Sequence, residues 1–470
     1  MKFLILGCGP TGLGSAWRLN ELGESDWRVL EASDHAGGLA TSFQDPRGFT
    51  WDIGGHVQFS HYEYFDRLMD ELLSPEGWLK HQRESWVWMR DRFIPYPFQN
   101  NIHRLPPDDL DACLKGLVEL YKSPPAKPAS FRDWILAVFG AGIADIFMLP
   151  YNFKVWAYPP EMMNAVWVGE RVATTDLARV LHNLVYGKDD LSWGPNNLFH
   201  FPLRGGTGAI WKECARRLPP EKFSWSCPVV SVDLKKRQVQ TKSGEILQYE
   251  YLISTIPLTE LIKLSGVSDA AGAAKTGLLH SASNIVGIGL EGRPSEDLRA
   301  KCWMYFPEAN CPFYRVTVFS NYSPFNVPDS SRHWSLMTET SESSMKPVNH
   351  QTLVDEVISG LRNVRLLKES DKIVSKWSYR AEYGYPTPGL HRDAALDQII
   401  PRFERHNVFP RGRFGAWKYE VANQDHSFMQ GLEIIERLVH GRPEVTLPDP
   451  NHANSRKHPF PFERWNGTNS

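Results

Sequence analysis

Residues Lys2 to Leu6 read as a buried parallel strand that ends at Gly7-Cys8-Gly9-Pro10-Thr11-Gly12. An amphipathic pattern (Leu13, Ala16, Trp17, Leu19, Leu22) follows at once, and a second strand, Trp27-Arg28-Val29-Leu30-Glu31, comes after it. This is a βαβ opening, and it commits the chain to a parallel sheet with helices packed on it. Gly7, Gly9 and Gly12 let the backbone come close to a pyrophosphate, while Pro10 and Thr11 open a helix whose amides and dipole favour an anion. Glu31 ends the second strand where a ribose hydroxyl would be bound. The string GxGxxG is weak evidence alone, and the chain carries a second copy, Gly287-Ile288-Gly289-Leu290-Glu291-Gly292. Arg293-Pro294 follows that copy, so no helix starts there and it reads as a strand end.

Beyond the opening, 105–190 alternates apolar helical stretches with proline breaks such as Pro124-Pro125-Ala126-Lys127-Pro128 and reads as mostly helical. Residues 225–380 turn to β patterning, as in Phe313-Tyr314-Arg315-Val316-Thr317-Val318-Phe319 and His333-Trp334-Ser335-Leu336-Met337. A last helix is expected over Ser427 to Val439, capped by Asp425 or Ser427, with Phe428, Leu432, Ile435 and Val439 as its apolar stripe. The tail beyond Arg442 is rich in Pro and Asn and reads as irregular.

A net charge of −2 argues against nucleic acid or an anionic membrane surface as partner. No apolar run of about 18 residues is expected, and the run before Gly7 is too short for a signal peptide. The six cysteines show no CxxC spacing or metal cluster, so the chain reads as a reduced, cytoplasmic protein with no metal. The surplus of aromatics, 17 Trp and 16 Tyr, suits a pocket that stacks bases and sugars as well as a core.

Gly37-Gly38-Leu39, Asp52-Ile53-Gly54-Gly55-His56, Arg204-Gly205-Gly206-Thr207-Gly208 and Ser254-Thr255-Ile256-Pro257 resemble the segments that cross the FAD diphosphate and flavin in amine-oxidase-like flavoproteins. Within that superfamily the chain resembles the eukaryotic-type UDP-galactopyranose mutases. The likeness rests on Gly54-Gly55-His56-Val57-Gln58-Phe59-Ser60-His61-Tyr62, Pro95-Tyr96-Pro97-Phe98-Gln99-Asn100-Asn101, Pro150-Tyr151-Asn152-Phe153-Lys154-Val155-Trp156 and Gly169-Glu170-Arg171-Val172-Ala173. It continues through Trp193-Gly194-Pro195-Asn196, Gly384-Tyr385-Pro386-Thr387-Pro388, Gly412-Arg413-Phe414-Gly415 and Tyr419-Glu420-Val421-Ala422-Asn423-Gln424-Asp425, to about residue 440.

The resemblance implies an α/β fold: a Rossmann-type FAD-binding domain with an inserted helical substrate domain and an antiparallel β-sheet domain. The expected division is 1–80 with 202–265 and 400–442 for FAD, 97–190 for the helical domain, and 81–96 with 191–201 and 266–399 for the sheet, leaving 443–470 as tail. FAD would be met by Gly7, Gly9, Pro10, Thr11, Gly12, Glu31, Gly38, Leu39, Gly55, His56, Arg413, Asn423, Gln424 and Ser427. Tyr96, Phe98 and Gln99 would hold uracil, Asn152 and Trp156 the ribose, and Asn196 the galactose. Arg171 and Arg315 would grip the diphosphate, helped by Tyr305, Tyr322, Tyr385 and Tyr419, because guanidinium forks suit phosphate oxygens. His56 and Asn423 would lie between flavin and sugar; Arg171, Arg315 and His56 are the expected catalytic set.

The activity implied is interconversion of UDP-galactopyranose and UDP-galactofuranose through a covalent adduct of the sugar with N5 of reduced FAD, with no net redox change. NADPH or NADH would reduce the flavin transiently. A related UDP-pyranose as substrate, or a conventional amine-oxidase-like oxidation, are the alternatives. The chain lacks an insertion near Asp329 to His333 that fungal relatives carry in an oligomer-forming region, which favours a monomer or dimer over a tetramer. Gln58 also departs from the aliphatic residue expected there.

Overall fold

The computed structural model describes residues 1–122, 126–191, 197–267, 272 and 277–459, so the expected galactose contact Asn196 lies outside the described residues. Phe3–Leu6 has no polar face and is buried throughout, which requires cover on both sides of the strand. It sits at the centre of a five-stranded sheet in the order Val408–Pro410, Tyr251–Ser254, Phe3–Leu6, Trp27–Leu30, Phe223–Ser224, with every pairing parallel.

Helix Pro10–Glu21 packs against the C-terminal helix, Gln424–His440, with their backbones in contact. A Cβ on Gly14 would lie 2.2 Å from the Phe428 carbonyl oxygen, and one on Gly431 would lie 2.0 Å from that of Thr11. The Ser15 hydroxyl donates to the Gly431 carbonyl at 2.8 Å across the same seam. The C-terminal helix starts at Gln424 rather than Ser427, with Asn423 at its N-cap, so neither Asp425 nor Ser427 caps it. Asp425 instead spends its carboxylate on His61, and Val439 is exposed rather than part of the buried stripe.

A seven-stranded sheet faces this unit, in the order Ile373–Pro386, His280–Glu291, His333–Glu342, Arg315–Val318, Trp303–Tyr305, Ser85–Met89, Arg92–Pro95. It is antiparallel except for the parallel pair of Trp303–Tyr305 with Ser85–Met89. The second GxGxxG forms the end of its strand His280–Glu291, as expected from the sequence. Gly287 and Gly289 there lie under the rings of Trp51 and Phe49, where a Cβ would come within 2.6 and 2.7 Å. These glycines make room for aromatic packing. Leu198–Pro202, in the segment expected to belong with the β-sheet domain, pairs with Trp78–Gln82 as a separate antiparallel ribbon.

Helices Pro107–Lys122, Phe131–Ile143, Leu149–Trp156 and Leu177–Tyr186 fill the segment read as helical. Ser130 and Asp133 form a reciprocal capping box at the second of these. Contrary to the sequence expectation, Phe131–Trp156 is long and apolar enough to span a membrane by length and composition. It is kinked where Gly140 takes φ 69°, and a π-turn follows at Ala144–Met148. Phe131, Ile135, Phe139, Ile143, Phe147 and Trp156 are spent in the core of the helical region.

The described part of the tail is mostly without regular structure, as expected, but it is held to the fold at several points. Asp449 caps a short helix, Pro450–Ser455, and the backbone of His458 pairs with His61 and Glu63. Buried Glu433 anchors the strap by accepting from the Val445 and Thr446 amides and the Thr446 hydroxyl. Composition is silent on these anchors because the strap finds its hydrogen-bond partners in the rest of the fold rather than in itself.

Candidate active site

The two sheets and the helical region enclose a cleft of about 1020 Å³. At one end lie Gly7, Gly9, Pro10, Thr11, Glu31, Gly38 and Leu39. Glu31 accepts from the Cys8 amide at 2.6 Å and the Ser33 amide at 2.8 Å, pinning the glycine loop to the end of its neighbouring strand. Gly12 sits beneath the loop rather than on the cleft wall, because a Cβ there would lie 1.9 Å from the Gly7 carbonyl oxygen. A Cβ on Gly38 would lie 3.3 Å from the Gly9 Cα, so the two glycine turns form a side-chain-free floor.

The middle of the cleft is lined by Gly54, Gly55, His56, Arg413, Asn423, Gln424 and Ser427. His56 is held well below its ordinary pKa, at about 4, chiefly by burial; Glu339 pulls it up, and the Arg413 and Arg315 charges push it down. Its imidazole is therefore neutral at pH 7, and its buried Nδ1 has no partner among the described residues. A glycine floor, two helix N-termini and an orphaned ring nitrogen along one channel fit an extended dinucleotide cofactor.

At the far end Arg171, Arg315, Tyr96, Tyr305, Tyr385 and Tyr419 line the wall. Arg315 is bidentate to Glu339, Nε to Oε1 at 2.6 Å and Nη2 to Oε2 at 2.7 Å. Burial opposes both charges, yet each ion holds the other: Arg315 is pushed well above its ordinary range and Glu339 below its own. Arg171 donates from Nη2 to the Glu420 carbonyl at 2.5 Å and to Asn454 Oδ1 at 3.3 Å, with its guanidinium 5.8 Å from the Tyr419 ring. Arg413 stands over the rings of Tyr385 and Tyr419, at 5.0 and 5.6 Å. Burial raises the pKa of the Tyr96 and Tyr385 hydroxyls, which keeps them protonated as donors.

Several expected contacts stand behind this wall and do not line it. Phe98 is fully buried against Phe147, 4.5 Å between ring centroids. Gln99 donates its amide to the Ala173 carbonyl, and Asn152 donates to that of Met148 at 2.7 Å. Trp156 backs Tyr385 and Tyr419 at 5.7 and 4.8 Å, and Tyr322 is enclosed by Phe199, Phe201 and Phe319. Gln58, by contrast, lines the cleft though largely buried, and its Nε2 has no partner among the described residues. Conversely, sequence reasoning missed Glu339, Asn454 and Glu420. An acid in the fully buried middle of the strand His333–Glu342 was a signal that could have flagged Glu339.

His61, Asp425 and His426 bring ligand-type atoms within 4.8 Å of one another below the cleft. The two imidazoles stack, 4.7 Å apart and tilted by 27°, so their in-plane lone pairs run side by side rather than converging on an ion. Asp425 Oδ2 accepts from both the amide and Nδ1 of His61, each at 2.9 Å, and so ties the 54–62 loop to the C-terminal helix.

Residues 10–414 match the family of flavin-containing amine oxidoreductases, which places the protein in that class of flavoproteins. A crystal structure of a reduced UDP-galactopyranose mutase superposes with a TM-score of 0.95 at 48% identity, covering 98% of this chain and 99% of that one. The chain therefore belongs to the UDP-galactopyranose mutase family within that class. Two more distant structures share the fold. A protein from an Exiguobacterium species, provisionally assigned as a protoporphyrinogen oxidase, has a TM-score of 0.71 at 13% identity, covering 94% of this chain and 99% of its own. A fatty acid isomerase from P. acnes, which produces CLA, has a TM-score of 0.62 at 15% identity, covering 93% and 98%.

Proposed function

We propose that this protein is a UDP-galactopyranose mutase, interconverting UDP-galactopyranose and UDP-galactofuranose with FAD held in the cleft. The observation that carries the reading is one continuous cleft that joins a glycine dinucleotide floor to a wall of arginines and tyrosines, in a chain 48% identical to a mutase. FAD in its reduced form, when bound, supplies the electron-rich centre for the sugar. Arg171 and Arg315 bind the diphosphate, stabilise its charge as UDP departs and keep it close for return. Tyr305, Tyr385 and Tyr419 add hydroxyl donors without adding charge, and Tyr96 faces the same space from the uridine side. Neutral His56 orients polar groups between cofactor and sugar and adds no charge there. The enclosing walls exclude the water that would otherwise capture an activated sugar.

NADPH or NADH visits this cleft as reductant, since the second glycine string is filled by Trp51 and Phe49. Six unpaired cysteines suit a reducing, cytoplasmic compartment. The test is conversion of UDP-galactofuranose by dithionite-reduced protein. UDP-galactopyranose should form without stoichiometric consumption of reductant, and the oxidised protein should be inert. Reductant spent one-for-one with substrate would favour an oxidoreductase, and no conversion would overturn the reading.

A further inference from the structure

The register of the large sheet sets Arg315 directly opposite Glu339. Glu339 is only 2% exposed, and it lines the cleft beside Arg315 with its carboxylate turned to protein partners. Its carboxylate is used in full. Oε1 accepts from Arg315 Nε and from the Gly55 amide at 3.0 Å, and Oε2 accepts from Arg315 Nη2 and from the Tyr314 hydroxyl at 2.8 Å. The loop rests on this ion pair with no side chain between. A Cβ on Gly54 would lie 3.1 Å from Oε2, and one on Gly55 would lie 3.4 Å from Oε1 and 3.5 Å from the Arg315 Cζ. An ion pair serving only the core would bind side chains. This one also binds the backbone of the loop that carries His56 into the middle of the cleft.

We infer that Glu339 is a positioning residue joining the diphosphate site to the flavin site: it fixes the Arg315 fork with its remaining edge toward the cleft, holds the Gly54-Gly55 backbone in place, and offsets the Arg315 charge beside the cofactor. This rests on the mutase reading for the identity of the diphosphate ligand. With both Nε and one Nη committed, Arg315 loses little freedom when an anion arrives. Because the same oxygen meets Gly55, a shift of the fork is felt at the loop.

The test compares Glu339→Gln and Glu339→Asp with the parent by FAD content, flavin midpoint potential, UDP affinity of the oxidised protein, and kcat. Glu339→Gln removes one negative charge beside the cofactor and leaves Arg315 uncompensated. It should keep FAD, shift the midpoint potential to more positive values, bind UDP at least as tightly as the parent, and lose at least about 10-fold in kcat. Glu339→Asp keeps the charge but cannot span Arg315 and Gly55. Its potential should stay near the parent's while kcat still falls, which also covers the case in which the Gln variant does not fold. Parent values of potential and UDP affinity, with losses confined to melting temperature or FAD content, would overturn the inference, as would an unchanged kcat in Glu339→Asp. A parent protein inactive on UDP-galactofuranose would instead sink the mutase reading. The shifts in potential and UDP affinity would still report on Glu339.

Discussion

Arg171 and Arg315 bring the same charge into the cleft from different supports, and their removal should differ accordingly. Arg315→Ala strands Glu339 as a buried carboxylate without its counter-charge, a loss of about 3–5 kcal/mol in stability for pairs of this kind. Arg171 is half-buried and leans on a backbone carbonyl and an amide oxygen, so Arg171→Ala should leave the melting temperature nearly unchanged. Both variants should lose at least about 10-fold in kcat/KM, since charge-assisted phosphate contacts contribute roughly 1.5–3 kcal/mol each. Arg216→Ala, at an exposed pair with Glu213, is the silent control. Thermal melts beside steady-state kinetics check all three. Equal melting temperatures for the two cleft variants would contradict the stated role of Glu339.

Two elements behave in ways their own sequence does not announce. The strap 443–459 is held by Glu433 and reaches Arg171 through Asn454, so a chain ended after Arg442 should melt lower and lose several-fold in kcat/KM. No loss on truncation would refute the strap's role.

The start of the C-terminal helix carries the second device. Burial holds His426 at about 3, and His56 in the cleft at about 4, against an ordinary 6.5. The unfolded chain takes up protons below pH 6.5 that the folded chain refuses. The contribution of these two histidines is therefore complete above about pH 6.5 and falls as pH drops toward 4, by up to about 1.4 kcal/mol per pH unit per histidine. Asp52 and Glu433, raised by burial to about 6 and about 7, act in the opposite sense. Denaturant unfolding of the parent and His426→Gln at pH 7, 6 and 5 should give slopes that differ by about one histidine's share. An unchanged slope in that variant would refute a neutral His426 as its source.

At the scale of the molecule, the cleft lies between two sheets with separate cores, and the cofactor site draws on both. Removing FAD should lower the melting temperature, and added FAD should restore it by mass action, by about 4 kcal/mol at a thousandfold excess over Kd. The purified holoprotein should show flavin absorbance that is released on denaturation. A colourless protein whose melting temperature ignores added FAD would contradict the assignment of the cleft.

What the chain reveals on its own is whatever local pattern dictates. The Phe3–Leu6 strand, the glycine turn behind it and the helix after that are neighbours in sequence and in space, so their geometry is written in consecutive residues. The arginines and tyrosines of the cleft were legible because each sits in a contiguous motif. Tertiary structure decided the rest. Glu339 meets Arg315 across 24 residues through strand register, and Asn454 meets Arg171 across 283 through the path of the strap. Gln99, Asn152, Trp156 and Tyr322 share motifs with lining residues but face inward, because packing, not sequence adjacency, sets which side of an element meets the cleft. Register and packing arise from contacts between distant segments, and no local window of residues contains both partners.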